Sequence, residues 1–171
     1  VDVEDNAEEH TVLLAGDASE QVWLLVDTGA WDKLAGSQWA TQAAMVLQKH
    51  GQNVTVNALA KPLRVKGVGQ SAPTITESVT VPGMLETRDS MSFDDCPVVP
   101  DSDTPALLGM KTMERLHCVL DARTGQRLMH LGEDIQVIPG PNTKTLQMYA
   151  SKSGHLVLPI ARYGQTSTSQ H

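Results

Sequence analysis

The pattern of apolar and polar positions predicts a chain that is mainly β. An apolar run over 11–15 stops at Gly16-Asp17, and a second run over 21–27 predicts the partner strand of a hairpin. The four residues before Asp27 are all apolar and do not alternate with polar ones, which is typical of a strand buried on both faces. This strand ends on a carboxylate, which is costly to bury unless another group pairs with it.

A helix is predicted between 37 and 50, where apolar residues recur at helical spacing. Ser37 is the expected N-cap, and Gly51 is the expected stop. The predicted packing face consists of Trp39, Ala43, Val46, Leu47 and His50. A second, shorter helix is predicted from Met110 to Leu116.

The remaining periodic segments predict strands. They lie at 61–66, 74–81, 91–99, 104–108, 117–121, 126–131, 145–149 and 155–160. The first two form a long hairpin whose tip nominally matches a dinucleotide fingerprint, Gly67-x-Gly69-x-x-Ala72. We reject that interpretation because the fingerprint must open a helix, whereas a strand follows here. A mobile flap and an ordinary exposed hairpin remain equal alternatives.

Composition and charge narrow the function classes. The 171 residues carry a net charge of −7, which disfavours nucleic-acid binding, and no apolar run is long enough to span a membrane. The apolar surroundings of Cys96 and Cys118 predict buried free thiols and a reducing compartment. The six histidines lack metal-ligand spacing, so we expect neither a metal nor a cofactor.

The segment Asp27-Thr28-Gly29 is the candidate for chemistry. Thr28 can hydrogen-bond back to the backbone, and Gly29 permits a turn that a Cβ would block. A carboxylate that is fixed and partly shielded from solvent suits a catalytic Asp. An isolated motif of this kind is, however, more often a simple Asx-turn. The surrounding organisation is an acidic tail at 1–10, one domain at 11–163 and a flexible tail at 164–171.

Several features in order resemble the retropepsins, the aspartic proteases of retroviruses and LTR retrotransposons. They are Leu25-Val26-Asp27-Thr28-Gly29-Ala30, the hairpin tip Gly67-Val68-Gly69, the segment Thr104-Pro105-Ala106-Leu107-Leu108-Gly109 and the helix after it. The part from Leu107 to Leu128 also resembles the retropepsin domain of DNA-damage-inducible ubiquitin-shuttle proteins. The whole chain looks most like protease segments of retrotransposon polyproteins of algal protists. The resemblance implies a closed β-barrel of the acid protease fold, with one lobe per chain. It also implies an inserted helix at 37–50 and a short helix after the second psi-loop strand.

The same resemblance implies roles for individual residues. Asp27 would be catalytic, Thr28 would brace the carboxylate pair, and Gly29 would face the substrate backbone. Residues implied to contact substrate are Ala30, Trp31, Asp32, Gly67, Val68, Gly69, Leu107 and Leu108. The chain departs from the family where Trp31 replaces the first of two acids. Met110-Lys111 also replaces an Arg-Asn pair, which predicts that the ion pair normally formed there is absent.

A single Asp-Thr-Gly in the chain predicts a homodimer, because an aspartic protease needs two such carboxylates. We therefore expect a homodimeric aspartic endopeptidase with a polypeptide substrate and no nucleic-acid or membrane partner. The resemblance, and a first residue other than Met, suggest a cytoplasmic protein excised from a retroelement polyprotein. Two alternatives stay open. One is a catalytically silent dimerisation or peptide-binding module of the same fold, and the other is an unrelated β-rich domain with a chance motif.

Overall fold

The structure, a computed structural model, describes residues 21–65, 73–85, 87–123 and 127–160. These residues form two compact units. The first contains 21–26 together with 33–108, and the second contains 27–32 together with 109–160. The predicted strand at 11–15, the hairpin tip at 66–72 and the tail at 164–171 lie outside the described residues.

A four-stranded sheet forms the centre of the first unit. Its strands are β2 (Ala35–Gly36), β3 (Thr55–Arg64), β4 (Thr74–Met84) and β5 (Ser90–Val99), in the order β2-β5-β4-β3. The β2–β5 pair is parallel and the other pairs are antiparallel. The β-branched residues that predicted β4 supply part of the core, where Ile75, Val79 and Val81 are buried together with Phe93 and Cys96 of β5.

The register of β4 against β5 shifts between Val79 and Val81. On the opposing strand, Asp95 has a positive φ of 46°, and its N–H donates to Thr80 Oγ1 at 3.1 Å. These features are those of a β-bulge, which bends a strand and changes which side chains face the core.

Helix α1 (Ser37–Lys49) is the element that the sequence predicts best. Ala43, Val46 and Leu47 are buried on its packing face as expected, whereas His50 is exposed. The helix stop is also confirmed: Gly51 has a φ of +68°, and the N–H groups of Gly51 and Gln52 donate to the carbonyls of Gln48 and Leu47. This is the Schellman arrangement, which favours glycine at the left-handed position. The predicted N-cap is wrong, because Gly36 caps the helix and Ser37 is its first residue.

Strands β1 (Leu25–Val26) and β6 (Leu107–Leu108) form a parallel pair, with Leu25 opposite Leu107. On the other side of β6, the Leu107 N–H donates to the Leu34 carbonyl at 2.7 Å. The backbone of β6 therefore lies between β1 on one side and Leu34 on the other.

The prediction that β1 is buried on both faces is wrong in this chain. Leu25 is 46% exposed and Val26 is 43% exposed. The strand is only two residues long and, within the described residues, its ladder is with β6 alone, so little of its side-chain surface is covered.

The second unit contains α2 (Met110–Arg115), β7 (Cys118–Asp121), β8 (Leu128–Leu131), β9 (Tyr149–Ala150) and β10 (Leu156–Val157). The predicted short helix and the hairpin after it are confirmed, with Cys118 opposite Leu131. The strands predicted at 145–149 and 155–160 shrink to two residues each, paired as β9 and β10. Most apolar side chains of these two segments are exposed. The segments therefore lack the buried contacts that would stabilise longer strands.

The class prediction, mainly β with two helices, is confirmed for the described residues. A closed barrel is not formed by them, because their strands belong to one four-stranded and three two-stranded sheets. Within the described ranges, no helix combines the length and the apolar character that crossing a membrane requires. Of the two free cysteines, Cys96 is buried, and Cys118 is half-buried with the pKa of its thiol raised by that burial.

Candidate active site

The residues that flank the Asp27 loop in the sequence both bond to β6 within the first unit. Val26 pairs with Leu108, and Leu34, two residues beyond the end of the loop, bonds to Leu107. The chain leaves β1, forms the loop 27–32 and returns to the opposite side of β6.

The Asp27 carboxylate is fixed by the loop that follows it. Its Oδ1 accepts hydrogen bonds from the N–H groups of Gly29, at 2.8 Å, and Ala30, at 3.2 Å. The Ala30 N–H also lies 3.3 Å from the Asp27 carbonyl oxygen. This is Asx-turn geometry, and two N–H donors to one oxygen hold the half-buried carboxylate in one orientation.

Helix α2 begins directly against this loop. The N–H groups of Met110 and Lys111 donate to the carbonyls of Ala30, at 2.8 Å, and Trp31, at 2.9 Å. The first turn of a helix has N–H groups without intrahelical partners, and the loop supplies two of the missing acceptors. The approach requires Gly109, since a Cβ there would lie 2.7 Å from the Asp32 carbonyl oxygen and 2.9 Å from that of Trp31.

An ion pair adds to this contact. Lys111 Nζ lies 3.0 Å from Asp32 Oδ2, and the two side chains are 59% and 50% exposed. The replacement of the retropepsin Arg-Asn pair by Met110-Lys111 predicted that the ion pair normally formed by that Arg is absent; the pair seen here is a different one, formed by Lys111. Lys111 is long enough to reach the second acid, Asp32, although Trp31 occupies the place of the first.

Trp31 packs against the turn between β9 and β10. Gly154 in this turn has a φ of +87°, and a Cβ added to it would overlap the six-membered ring of the indole, coming within 2.9 Å of Cζ3. The Gly154 backbone therefore lies directly against the Trp31 ring. This contact gives Trp31, which is half-buried, a packing partner within its own chain.

Among solved structures, the chain is similar to the retroviral protease-like domain of Ddi1 from Leishmania major. The identity is 16%, the similarity covers 71% of this chain and 88% of that one, and the TM-score is 0.39. No family model matches the sequence, and no curated protein matches it. A similarity at this level assigns no activity, substrate or partner.

The other predicted site residues occupy different environments. Thr28 and Gly29 form the exposed turn of the loop. Leu107 is half-buried and Leu108 is 5% exposed, so within this chain Leu108 packs in the interior. The predicted flap residues Gly67, Val68 and Gly69 lie outside the described residues. The structure thus brings together the segments 27–32 and 109–111.

Two residues that shape the loop were not assigned a role from the sequence. In the sequence Lys111 stands out only as a departure from the retropepsins, and Gly154 lies between the strands predicted at 145–149 and 155–160. A glycine between two short β segments does signal a turn, but nothing local in the sequence indicates that an indole from residue 31 fills the space beside it. Such contacts arise from tertiary packing between residues that are far apart in the sequence.

A groove of about 750 Å³ lies elsewhere in the second unit. Its lining comes from β7, from His130 and from residues 135–138, and contains none of the predicted site residues. At its edge the Arg123 guanidinium holds the pKa of Asp121 at about 2, chiefly by a side-chain hydrogen bond to the carboxylate. Across the described ranges, no group of three or more His, Cys, Asp or Glu side chains is placed to hold a metal ion.

Proposed function

We propose that the protein is an aspartic endopeptidase that acts as a homodimer on polypeptide substrates. The observation that carries the proposal is the Asp27 carboxylate, fixed by the N–H groups of Gly29 and Ala30 in a loop whose carbonyls accept hydrogen bonds from the start of α2. A carboxylate that takes part in proton transfer must hold its geometry while its charge changes. Backbone donors provide this, since they keep their positions without relying on mobile side chains.

A second copy of the chain is required by the chemistry. Two carboxylates a few ångströms apart cannot both ionise, so they share one proton and titrate as a pair. The chain contains a single Asp-Thr-Gly, so the second carboxylate would be Asp27 of another copy. The exposure of Leu25 and Val26, just before Asp27, is consistent with apolar surface that a second copy covers.

In the proposed reaction the ionised Asp27 takes a proton from a water molecule, whose oxygen attacks the peptide carbonyl carbon. The protonated Asp27 of the second copy gives its proton to the carbonyl oxygen. The tetrahedral diol then collapses: the first Asp27 gives the proton it took from water to the amide nitrogen, and the ionised Asp27 of the second copy takes a proton back from a diol hydroxyl. The C–N bond then breaks and releases a carboxylic acid and an amine. No metal or cofactor takes part in any step.

The substrate we propose is a retroelement polyprotein that contains the protease itself. The support is the order of the motifs, which resembles that of proteases in such polyproteins. Cleavage in cis or between copies would then excise the domain in the cytoplasm.

The test of catalysis is cleavage of an unfolded protein, followed by electrophoresis and mass spectrometry of the products. We expect cleavage by the wild type, loss of cleavage in Asp27→Asn, and inhibition by a statine-type mimic of the tetrahedral intermediate. Asp101→Asn is the matched control, because it makes the same change at an exposed aspartate whose φ of 50° suits Asn. If Asp27→Asn cleaves as fast as wild type, the chain is not an aspartic protease of this kind, and the silent-module alternative gains support.

The shared site has a test of its own. We expect the specific activity to fall on dilution as dimers dissociate, with sedimentation following the same concentration dependence. Adding an excess of Asp27→Asn chains to wild type should suppress activity, because mixed dimers hold only one competent carboxylate. Full activity in a species that sediments as a monomer would contradict the two-copy mechanism.

A further inference from the structure

We propose that the turn between β9 and β10 positions the catalytic loop, with Trp31 and Gly154 as its two contact residues. The inference rests on the proposed function, because it concerns how the Asp27 loop is kept in place. It assigns to the segment after β8 a part in the site that the sequence does not indicate. Trp31 and Gly154 are positioning residues, since they act through the loop.

The first step of the argument is the closeness of the contact. Gly154 leaves no room for a Cβ, because such an atom would overlap Cδ2 and Cε3 of the Trp31 ring and lie 2.9 Å from Cζ3. The φ of +87° independently favours glycine at this position. Two separate constraints therefore meet at one residue, and both depend on its lack of a side chain.

The second step is the rigidity of the turn that presents Gly154. The Gly154 N–H donates to the Ser151 carbonyl at 3.0 Å, and the Ser151 N–H donates to the His155 carbonyl at 2.8 Å. The hydroxyl of Ser151 accepts from the His155 N–H at 3.1 Å, and the Ser153 hydroxyl lies 2.7 Å from His155 Nδ1. A turn closed by this many bonds forms a firm surface against which the indole packs.

The third step is the connection from the indole to the carboxylate. Trp31 follows Ala30 in the chain, and the Ala30 N–H donates to Asp27 Oδ1. The Trp31 carbonyl in turn accepts from the Lys111 N–H. The loop is thus held by α2 through its carbonyls and by the turn through its one large side chain. Displacing the indole would shift the donors that orient Asp27.

The functional test compares Trp31→Ala, Trp31→Phe and Gly154→Ala in cleavage of an unfolded protein. We expect kcat to fall by about 10- to 100-fold in Trp31→Ala and Gly154→Ala with KM little changed, because misplacing a catalytic group costs rate rather than binding. Trp31→Phe should retain most of the activity because it keeps a flat ring. The double variant should be no worse than the single ones, as residues that act through one contact are not additive.

Two glycine controls separate the contact from other effects. Gly51→Ala introduces the same kind of strain at a φ of +68° where an added Cβ meets no atom within 4 Å. Gly140→Ala changes a glycine of the same C-terminal segment where the nearest atom, Thr143 Oγ1, lies at an ordinary 3.6 Å. Neither control should alter kcat. A rise in KM alone in Trp31→Ala, with Gly154→Ala unaffected, would instead make Trp31 a substrate contact and overturn the inference.

Nuclear magnetic resonance tests the geometry without relying on activity. The Gly154 Hα signals should be shifted upfield by the ring current of Trp31 and should return to ordinary positions in Trp31→Ala. The amides of Gly29 and Ala30 should exchange faster in Gly154→Ala than in Gly51→Ala. If the Hα signals are ordinary in the wild type, or if exchange at both amides is unchanged, the inference is wrong even if the protein is a protease. If the wild type cleaves nothing but both signatures hold, the proposed function fails while the positioning contact stands.

Discussion

Lys111 Nζ lies 3.0 Å from Asp32 Oδ2, so the first turn of α2 is tied to the end of the Asp27 loop by a side-chain contact. Two main-chain hydrogen bonds join the same segments, from Met110 to Ala30 and from Lys111 to Trp31. The ion pair is exposed, whereas the main-chain bonds lie where Gly109 allows the backbones to meet. Solvent screens exposed charges, so the main-chain contact should dominate in holding the loop.

The first prediction concerns the ion pair. Lys111→Met should lower the free energy of unfolding by less than about 1 kcal/mol, the usual range for an exposed pair. The difference from wild type should shrink further in high salt, because salt screens the attraction. Urea unfolding at low and high ionic strength measures both effects. Lys144→Met makes the same change at another exposed lysine. A loss well above 1 kcal/mol that persists in high salt would show that Lys111 is more than a screened surface charge.

The second prediction concerns the close approach at Gly109. Gly109→Ala should destabilise the protein by about 1–3 kcal/mol, the range for overpacking, because the new Cβ would meet three loop carbonyl oxygens at 2.7–3.0 Å. Its φ of −82° suits any residue, so strain in φ does not contribute. Urea unfolding measures the loss, with Gly140→Ala as the variant that adds a methyl group in open surroundings. Equal stability of the two variants would show that the loop does not sit against α2 this closely.

Short sequence patterns predict the elements whose structure depends on residues that are close together in the chain. The periodic apolar residues of α1 and the glycine at 51 predict both the helix and its end, because burial and the left-handed cap act within a few residues of the chain. The N-cap prediction is wrong by one position. Gly36 has the extended conformation of an N-cap, whereas Ser37, although of a residue type common at N-caps, is already the first helical residue. The β-branched run that forms β4 is predicted for the same local reason.

Relationships across the chain were not predictable in the same way. The partial exposure of Leu25 depends on which strands pair with β1, and a continuous apolar run does not contain that information. The pairing of Lys111 with Asp32 and the packing of Trp31 on Gly154 each require knowing which distant segments meet. For the candidate site, the sequence predicted the carboxylate and the glycines around it, but not the contacts that hold the loop.

The third prediction concerns the end of α1. Gly51→Ala should lower the free energy of unfolding by about 1 kcal/mol, because an L-residue with a Cβ is strained at a φ of +68°. Gly51→Asn should cost less, since Asn adopts this conformation more readily. Thermal and urea unfolding compare the two. Identical losses for Ala and Asn would contradict the left-handed conformation at this position.

The fourth prediction concerns the pH dependence of the Asp121–Arg123 pair. The hydrogen bond from the Arg123 side chain, aided by its backbone N–H, lowers the pKa of Asp121 to about 2. The folded pKa therefore lies below the ordinary value of about 4. The pair contributes stability that is present above pH 4 and is lost as the pH falls from about 4 to about 2.

Carboxyl carbon resonances of Asp121, followed through an acid titration, measure this pKa directly. In Arg123→Gln the pKa should rise towards its ordinary value but not reach it, because the backbone N–H at 123 still donates to Oδ1. Arg115→Gln removes the same charge from α2 and should leave the titration unchanged. If Asp121 titrates near 4 in the wild type, the hydrogen bond is not formed in solution.

The last prediction separates the two roles of Asp27, in holding its loop and in chemistry. Asp27→Asn keeps an oxygen that can accept from the N–H groups of Gly29 and Ala30, whereas Asp27→Ala removes it. We expect Asn to unfold at nearly the same urea concentration as wild type, and Ala to lose about 1 kcal/mol, because the exposed N–H of Gly29 and the part-buried N–H of Ala30 lose their acceptor. Both variants should be inactive in cleavage. Inactivity of a well-folded Asp27→Asn would assign the loss to the carboxylate itself, whereas a large loss of stability in Asn would mean that the charge, rather than the oxygen, holds the loop.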